Sequence, residues 1–499
     1  MARIAERLGA TPATDAFLTA FLIPESLYVF LTEGALTTAF VPPFTRALAR
    51  GARSFLSLFA TTAGLMALFS GAIALIFWKI APLLVWTIAP GFDGETSRLT
   101  ADLLSVVVGY IPLTCVATIL FAGLYARQHF LTPALGPLVF NLAVIASVGY
   151  ASPQNVRPLA WGVLAGGLLQ LALQILPLVR SLRLGQDEDA PRPIDAVGHT
   201  PPPSETRPPT KLLDLSHPGL KETLWLLFPL TLSLGITQVQ LLAERYIASG
   251  LPRGTITSLN LIGKLVNLPL GLIGLAVTVP LVPALTKLDM RKDSTEFART
   301  LEQGLVWLTA LIAPITALCL IEPDAIVRIL FQRGAFGLKE SSDAATLLWY
   351  YALGLPAVSA CYLLTSAFLA TGDALSPALI RATVLTGNIG LNFHYLSSWG
   401  LATIPLCFTL MYVANTTALL LLIGRRTPTF RPGRIVGLVL FTVVITVASG
   451  LLARQSLVTW LPEGSTRLVE LSRVALLGGM VAAISIFITV SSRALRRGE

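Results

Sequence analysis

TDAFLTAFLIPESLYVFLTEGALTTAFVPP, residues 14–43, is apolar enough to cross a bilayer, yet it carries Asp15, Glu25 and Glu33. An ionised side chain at mid-bilayer costs about 2.5–3.5 kcal/mol on insertion scales, so several on one lipid-facing helix require compensation. A helix that turns its acids to a polar interior, inside a bundle whose outer faces meet lipid, removes the conflict. At about 100° per residue, Asp15, Thr19, Ser26, Glu33 and Thr37 fall within about 40° of arc. The stripe from Asp15 to Glu33 is roughly 27 Å long, nearly the depth of the hydrocarbon core. It reads as the lining of a water-filled cavity; the alternative is a set of acids paired with buried partners for packing alone. Glu25 lies about 80° from the stripe, although Pro24 is placed to kink the helix and re-aim it.

The rest of the chain agrees with an all-α integral membrane fold. Of its 499 residues 54% are hydrophobic and 13% charged, with a mean hydropathy of +0.73, whereas an ordinary soluble domain is about 25% charged. Apolar runs of about 20 residues or more recur about thirteen times, from 14–42 to 468–492. The opening MARIAERLGATPAT has no apolar h-region and reads as the tail of a truncated first helix. The net charge of +9 reports topology and not a nucleic-acid partner, because the basic residues gather in alternate loops. Arg46, Arg50 and Arg53, the cations at 180–221, Lys287 to Arg299, Arg425 to Arg434 and Arg493 to Arg497 mark the cytoplasmic side. The opposite loops hold about a third as many cations, among them Arg98, Arg157, Arg253 and Arg454. Cys115, Cys319, Cys361 and Cys407 sit in apolar runs with no metal-ligand spacing, and no hydrolase, zincin or P-loop motif occurs. A transporter is expected, not an enzyme.

Residues 181–220 are charged, rich in proline and poor in aromatics, a cytoplasmic linker. The sequence repeats on either side of it. VPPFTR at 41–46 matches VPALTK at 282–287, and in a second register Phe92, Leu103, Leu104, Pro112 and TPAL (132–135) match Phe336, Leu347, Leu348, Pro356 and SPAL (376–379). With the truncated helix counted, matched segments lie six spans apart, so the halves are parallel repeats related by an axis along the membrane normal. The expected organisation is an N-terminal lobe at 1–180, the linker at 181–220, a C-terminal lobe at 221–430 and two further helices at 431–499. The two six-helix lobes would surround a central cavity.

Other polar residues within spans are candidates for function. Asn260, Lys264 and Asn267 share one helix face, where Lys264 reads either as a contact for an anionic headgroup or as a structural ion partner. Glu244 and Arg245 read as an ion pair near a span end. Asn388 and Asn392, one turn apart, suit either interhelical hydrogen bonds or cation coordination through carbonyl oxygen.

TDAF, then IP, then EGALTTAFVPP and APGF, together with PLVFNLAVI, WGVLAGGLLQ, GLIGLAVTVPLVPALTK and LFQRGAFG, resemble the MurJ/MviN family. These are lipid II flippases of the multidrug/oligosaccharidyl-lipid/polysaccharide exporter superfamily. The resemblance implies fourteen helices, the last two forming a lipid-tail groove. It implies alternating access that carries a polyprenyl-pyrophosphate-linked peptidoglycan precursor across the bacterial inner membrane. On it, Asp15 and Glu33 match family acids and Lys264 takes the place of a cavity arginine. Tyr28 or Val29 stands where another arginine is usual, and Glu25 replaces a neutral residue. A pyrophosphate is held best by bidentate guanidinium groups, so these changes weaken an anion site. The candidate substrate-binding set is Asp15, Ser26, Tyr28, Glu33, Asn260, Lys264 and Asn267. ERYIAS at 244–249 resembles the family's DRxxAS segment and makes Glu244, Asn388 and Asn392 the candidate cation ligands. No cofactor is implied; coupling would be to Na+ or to the membrane potential. Membrane lipids and cell-wall synthesis proteins are the candidate partners. The rival readings are a transport-inactive scaffold and an ion-coupled exporter of small amphiphiles or other lipid-linked oligosaccharides.

Overall fold

The computed structural model describes residues 1–29, 39–183, 213–215, 217–288, 290, 292–460 and 467–497. Along the chain come α1 (Ala2–Leu8), α2 (Pro12–Val29), α3 (Val41–Ala49), α4 (Ala52–Lys79), α5 (Ala81–Ile88), α6 (Gly94–Val107), α7 (Tyr110–Ala126), α8 (Leu131–Val148), α9 (Arg157–Arg183) and α10 (Pro218–Ser249). Then follow α11 (Thr255–Thr286), α12 (Ser294–Ile321), α13 (Pro323–Phe331), α14 (Leu338–Ala370), α15 (Leu375–Trp399), α16 (Thr403–Arg426), α17 (Pro432–Trp460) and α18 (Arg467–Arg497). Helices are what an apolar chain must form in lipid, where each backbone N–H and C=O has to be satisfied within its own segment. Among the described residues ten stretches are long and apolar enough to cross a membrane, and one of them, Leu375–Arg426, holds both α15 and α16. The run expected at 14–42 passes through residues outside the described set.

The repeat is visible in the helices themselves. α14 begins and ends 244 residues after Gly94 and Ala126, the start of α6 and the end of α7. A short helix precedes each, α5 in one half and α13 in the other. The matched pairs Leu103, Leu104 and Leu347, Leu348 are all buried. What runs unbroken as α14 is interrupted in the first half at Val108–Gly109, where Gly109 packs against Leu164.

The chain divides into two compact units, Thr11–Gly250 and Met1–Ala10 with Leu251–Glu499. This differs from the division at 180 and 221 expected from the repeat, because α10 packs with α3, α4 and α5 and α1 with α13. Three contacts hold α10 in the first unit. Arg46 forms an ion pair with Glu222. The Gly91 N–H donates to Ser249 Oγ at 3.1 Å, with the backbones so close that a Cβ on Gly91 would lie 2.5 Å from the Ser249 carbonyl. His217, just before α10, is buried; its Nδ1 accepts from the Gly219 N–H at 3.1 Å and its Nε2 lies 3.2 Å from Ser54 Oγ.

Accepting at Nδ1 requires the neutral ring with its proton on Nε2. Burial pushes the His217 pKa below the ordinary 6.5, Asp214 opposing and Arg50 adding to the fall. The neutral ring is therefore the folded form. Its stabilising contribution should be complete above pH 6.5 and decline as pH drops below that value toward the depressed pKa. His217→Ala should cost about 1 kcal/mol, the worth of a helix cap, and flatten this acid limb in thermal melts of the purified protein recorded from pH 8 downwards.

In the second unit α12, α14 and α16 bury their apolar faces on one another. Thr409 and Thr416 of α16 donate to the carbonyls of Tyr350 and Ala357 on α14, at 3.2 and 2.7 Å. α17 and α18 lie against α12, with Ala453, Leu477 and Val481 closing on Ala317 and Ile321. At the outer end of this packing Glu322 is bound by two arginines, Arg454 Nε and Arg473 Nη2, each at 2.9 Å. Arg328 pairs with Glu470 at 3.0 Å, and Arg467 donates to the Gln332 carbonyl. At the cytoplasmic end Asp373 pairs with Arg426 at 2.5 Å and accepts from Ser376. Burial alone would raise the Asp373 pKa; the Ser376 and Arg426 hydrogen bonds more than offset it and hold the carboxyl at about 2.

Candidate functional site

α2 carries the first part of the polar stripe. Asp15 and Thr19, one turn apart, are both buried, and Ser26, Glu25 and Tyr28 are half-buried. The hydroxyl oxygens of Thr19 and Ser26 are buried without a protein hydrogen-bond partner, which marks the stripe as a polar surface and not a packed apolar one. Glu33 and Thr37, which complete the predicted stripe, lie outside the described residues.

A cation in this unit acts on the α2 acids, and it belongs to the pair Glu244 and Arg245 near the end of a span. Arg245 of α10 is only 7% exposed, and its guanidinium interacts electrostatically with Asp15, Glu25 and Glu244. Glu244 itself accepts a hydrogen bond from Gln240 Nε2 at 2.8 Å, one turn earlier on the same helix. The attraction between the α2 acids and this α10 cation acts between residues more than two hundred positions apart, and periodicity within one helix carries no trace of it. The adjacency of an acid and an arginine inside an apolar run was the available signal.

On α11 the two faces separate cleanly. Ser258, Leu261, Ile262, Val266 and Leu270 are buried, whereas Lys264 and Asn267 are exposed and Asn260 is half-buried with its Oδ1 enclosed and without a protein hydrogen bond. The three predicted residues thus share the open face of this helix, as their spacing required. On α15 Asn388 and Asn392 are both buried. Asn388 Nδ2 donates to the Cys407 carbonyl of α16 at 2.6 Å, which ties the two helices together. Asn392 Nδ2 donates back to Asn388, to its backbone carbonyl at 2.9 Å and to Oδ1 at 3.1 Å, leaving Asn392 Oδ1 buried without a hydrogen bond. Of the two alternatives expected for this pair, the interhelical hydrogen bond is the one present. Among the described residues no group of three or more His, Cys, Asp or Glu is arranged to hold a metal ion. The four cysteines are buried and unbridged.

Comparison with known proteins bears on what this polar lining serves. The family model described as "Lipid II flippase MurJ" matches residues 4–478. The "Probable lipid II flippase MurJ" of Rhizobium meliloti (strain 1021) is 28% identical over 508 aligned positions, covering 98% of this chain and 89% of that protein. The "Lipid II flippase MurJ" of Burkholderia cenocepacia is 28% identical and covers 85% and 79% of the two chains. Among solved structures, a lipid II flippase MurJ in an inward closed conformation superposes with a TM-score of 0.78 at 18% identity, over 99% of this chain and 95% of that one. An inward-facing multidrug resistance MATE family transporter of the MOP superfamily gives 0.67 at 13% identity, over 86% and 94%. At these identities the structural likeness speaks for the fold.

Proposed function

The chain belongs to the lipid II flippase MurJ family, and on that premise we propose that it moves lipid II, a polyprenyl-pyrophosphate-linked peptidoglycan precursor, across the bacterial inner membrane. It is a transporter that makes and breaks no covalent bond. The observation that carries this reading is a family match over nearly the whole chain joined to a buried polar face on α2 inside an otherwise apolar segment. Hydrocarbon tolerates such a face only where it borders water or a polar cargo.

Asp15, Ser26, Tyr28 and Glu33 are the substrate-facing residues of the first repeat in this reading, and Asn260, Lys264 and Asn267 those of the second. Lys264 contacts phosphate; the carboxylates organise hydroxyls and amides of the headgroup. Glu244 in one unit and, separately, Asn388 with Asn392 in the other are candidate cation ligands. The spare Oδ1 of Asn392 supports that role, because hard monovalent and divalent cations take carbonyl and carboxylate oxygen. Cell-wall synthesis proteins are the partners such a cargo calls for.

Reconstitution in liposomes containing fluorescent lipid II tests the function. The purified chain should expose labelled headgroup to an impermeant quencher, and replacing Na+ by choline or collapsing the membrane potential should slow that exposure. The same chain should restore growth to cells depleted of their own flippase. A correctly inserted chain that neither exposes lipid II nor rescues growth would remove the transport reading and leave the scaffold.

A further inference from the structure

We propose that the seam where α9 packs against α7 and α8 in the first unit is a built hydration site, about two or three ordered waters held by Gln170 and Gln174. α7 and α9 run side by side in the same direction: Gly109 meets Leu164, and a Cβ on Gly167 would lie 2.7 Å from the Tyr110 ring. A Cβ on Gly136 of α8 would lie 3.3 Å from Gln170 Cγ, so Gln170 is enclosed from that side too. Gln174 sits on α9 between Leu171 and Leu178, both packed on α7 around Leu120 and Leu124. Phe59 of α4 packs on the same leucines.

Gln174 is 0% and Gln170 2% exposed. Even so, Gln174 Nε2 and Oε1 and Gln170 Nε2 are buried without a protein hydrogen-bond partner. A buried polar atom left so costs about as much as a lost hydrogen bond, and long amides are not kept in a helix seam at that cost without a ligand. The ligand class follows from the atoms. Amide N–H groups and an amide oxygen are open together, so an anion or a cation would satisfy only one kind. Water donates and accepts.

In the second half α16 is tied to α14 by direct hydrogen bonds from Thr409 and Thr416 to α14 carbonyls, while Asn415 Oδ1 of α16 is buried without a protein hydrogen bond, as the glutamine amides of α9 are.

X-ray hydroxyl-radical footprinting of the full chain in nanodiscs tests this, since trapped water oxidises the side chains beside it. Tyr110 of α7, whose ring packs on Gly167 of α9, is 2% exposed and should be oxidised at the rate of a hydrated residue in the native protein. In Gln170→Leu/Gln174→Leu the rate should fall about tenfold towards background, with a melting temperature lowered by a few degrees. A dry seam gives the opposite pair of results, an unlabelled native Tyr110 and a variant that melts higher because its unpaired amides are gone; either overturns the proposal. Should the double variant fail to fold, labelling of the native chain and of Gln174→Met decides alone. None of these readouts depends on lipid II being the cargo.

Discussion

Replacing Glu322 by alanine should destabilise the second unit by about 3–5 kcal/mol, the cost of removing one partner from a buried ion pair. Glu322 is 4% exposed and Arg473 1%, so the guanidinium cannot recover its lost carboxylate from water. Arg473→Ala should cost a similar amount. Arg454→Ala should cost only about 0–1 kcal/mol, because its side chain is about a third exposed and water screens what it loses. The ordering is the informative part, since an interaction that merely counted contacts would rank the two arginines together. Replacing both buried partners, Glu322→Leu with Arg473→Leu, should recover most of the loss, as buried pairs exchanged for apolar groups of like volume usually do. Thermal melts in nanodiscs and protease susceptibility of α17 and α18 read the effect. Equal losses for Arg454→Ala and Arg473→Ala would show that the network is not organised around the buried pair.

That cluster was not legible in the sequence, and the reason is physical. Glu322, Arg454 and Arg473 stand at the ends of separate apolar runs, where charged residues ordinarily mark the exit into water. Only the docking of α17 and α18 on α12 converts them into buried partners. The repeat, by contrast, was legible because it is written in residues that packing cannot replace cheaply. Leu103 and Leu104 recur as Leu347 and Leu348, and Pro112 recurs as Pro356. α14 then begins and ends in register with α6 and α7. Helical spacing put Asp15 and Thr19 on one face of α2, and in the structure both are buried. It did not single out Arg245, since the α2 acids lie on another helix. The packing of α10 with the first unit also escaped the repeat, which records common ancestry of segments, whereas Arg46, Gly91 and His217 decide where α10 docks.

The largest functional effect is expected at Lys264. On α11 it occupies the open face between Asn260 and Asn267, one turn from each, so a phosphate arriving there meets an ammonium flanked by two amides. A hydrogen bond to a charged group is worth about 1.5–3 kcal/mol, and each 1.4 kcal/mol is about tenfold. Lys264→Ala should therefore lower flipping efficiency by about 10- to 100-fold, seen mainly as a higher half-saturating lipid II concentration, because the contact is made on binding. Lys264→Glu should abolish transport. Lys264→Arg separates a general need for positive charge from phosphate recognition: a planar guanidinium grips two phosphate oxygens at once, which an ammonium cannot. The arginine variant should match or exceed the native chain on lipid II and lose that advantage on a lipid-linked sugar bearing a single phosphate. An alanine variant with unchanged half-saturation and rate would take Lys264 out of the binding site, whatever the chain transports.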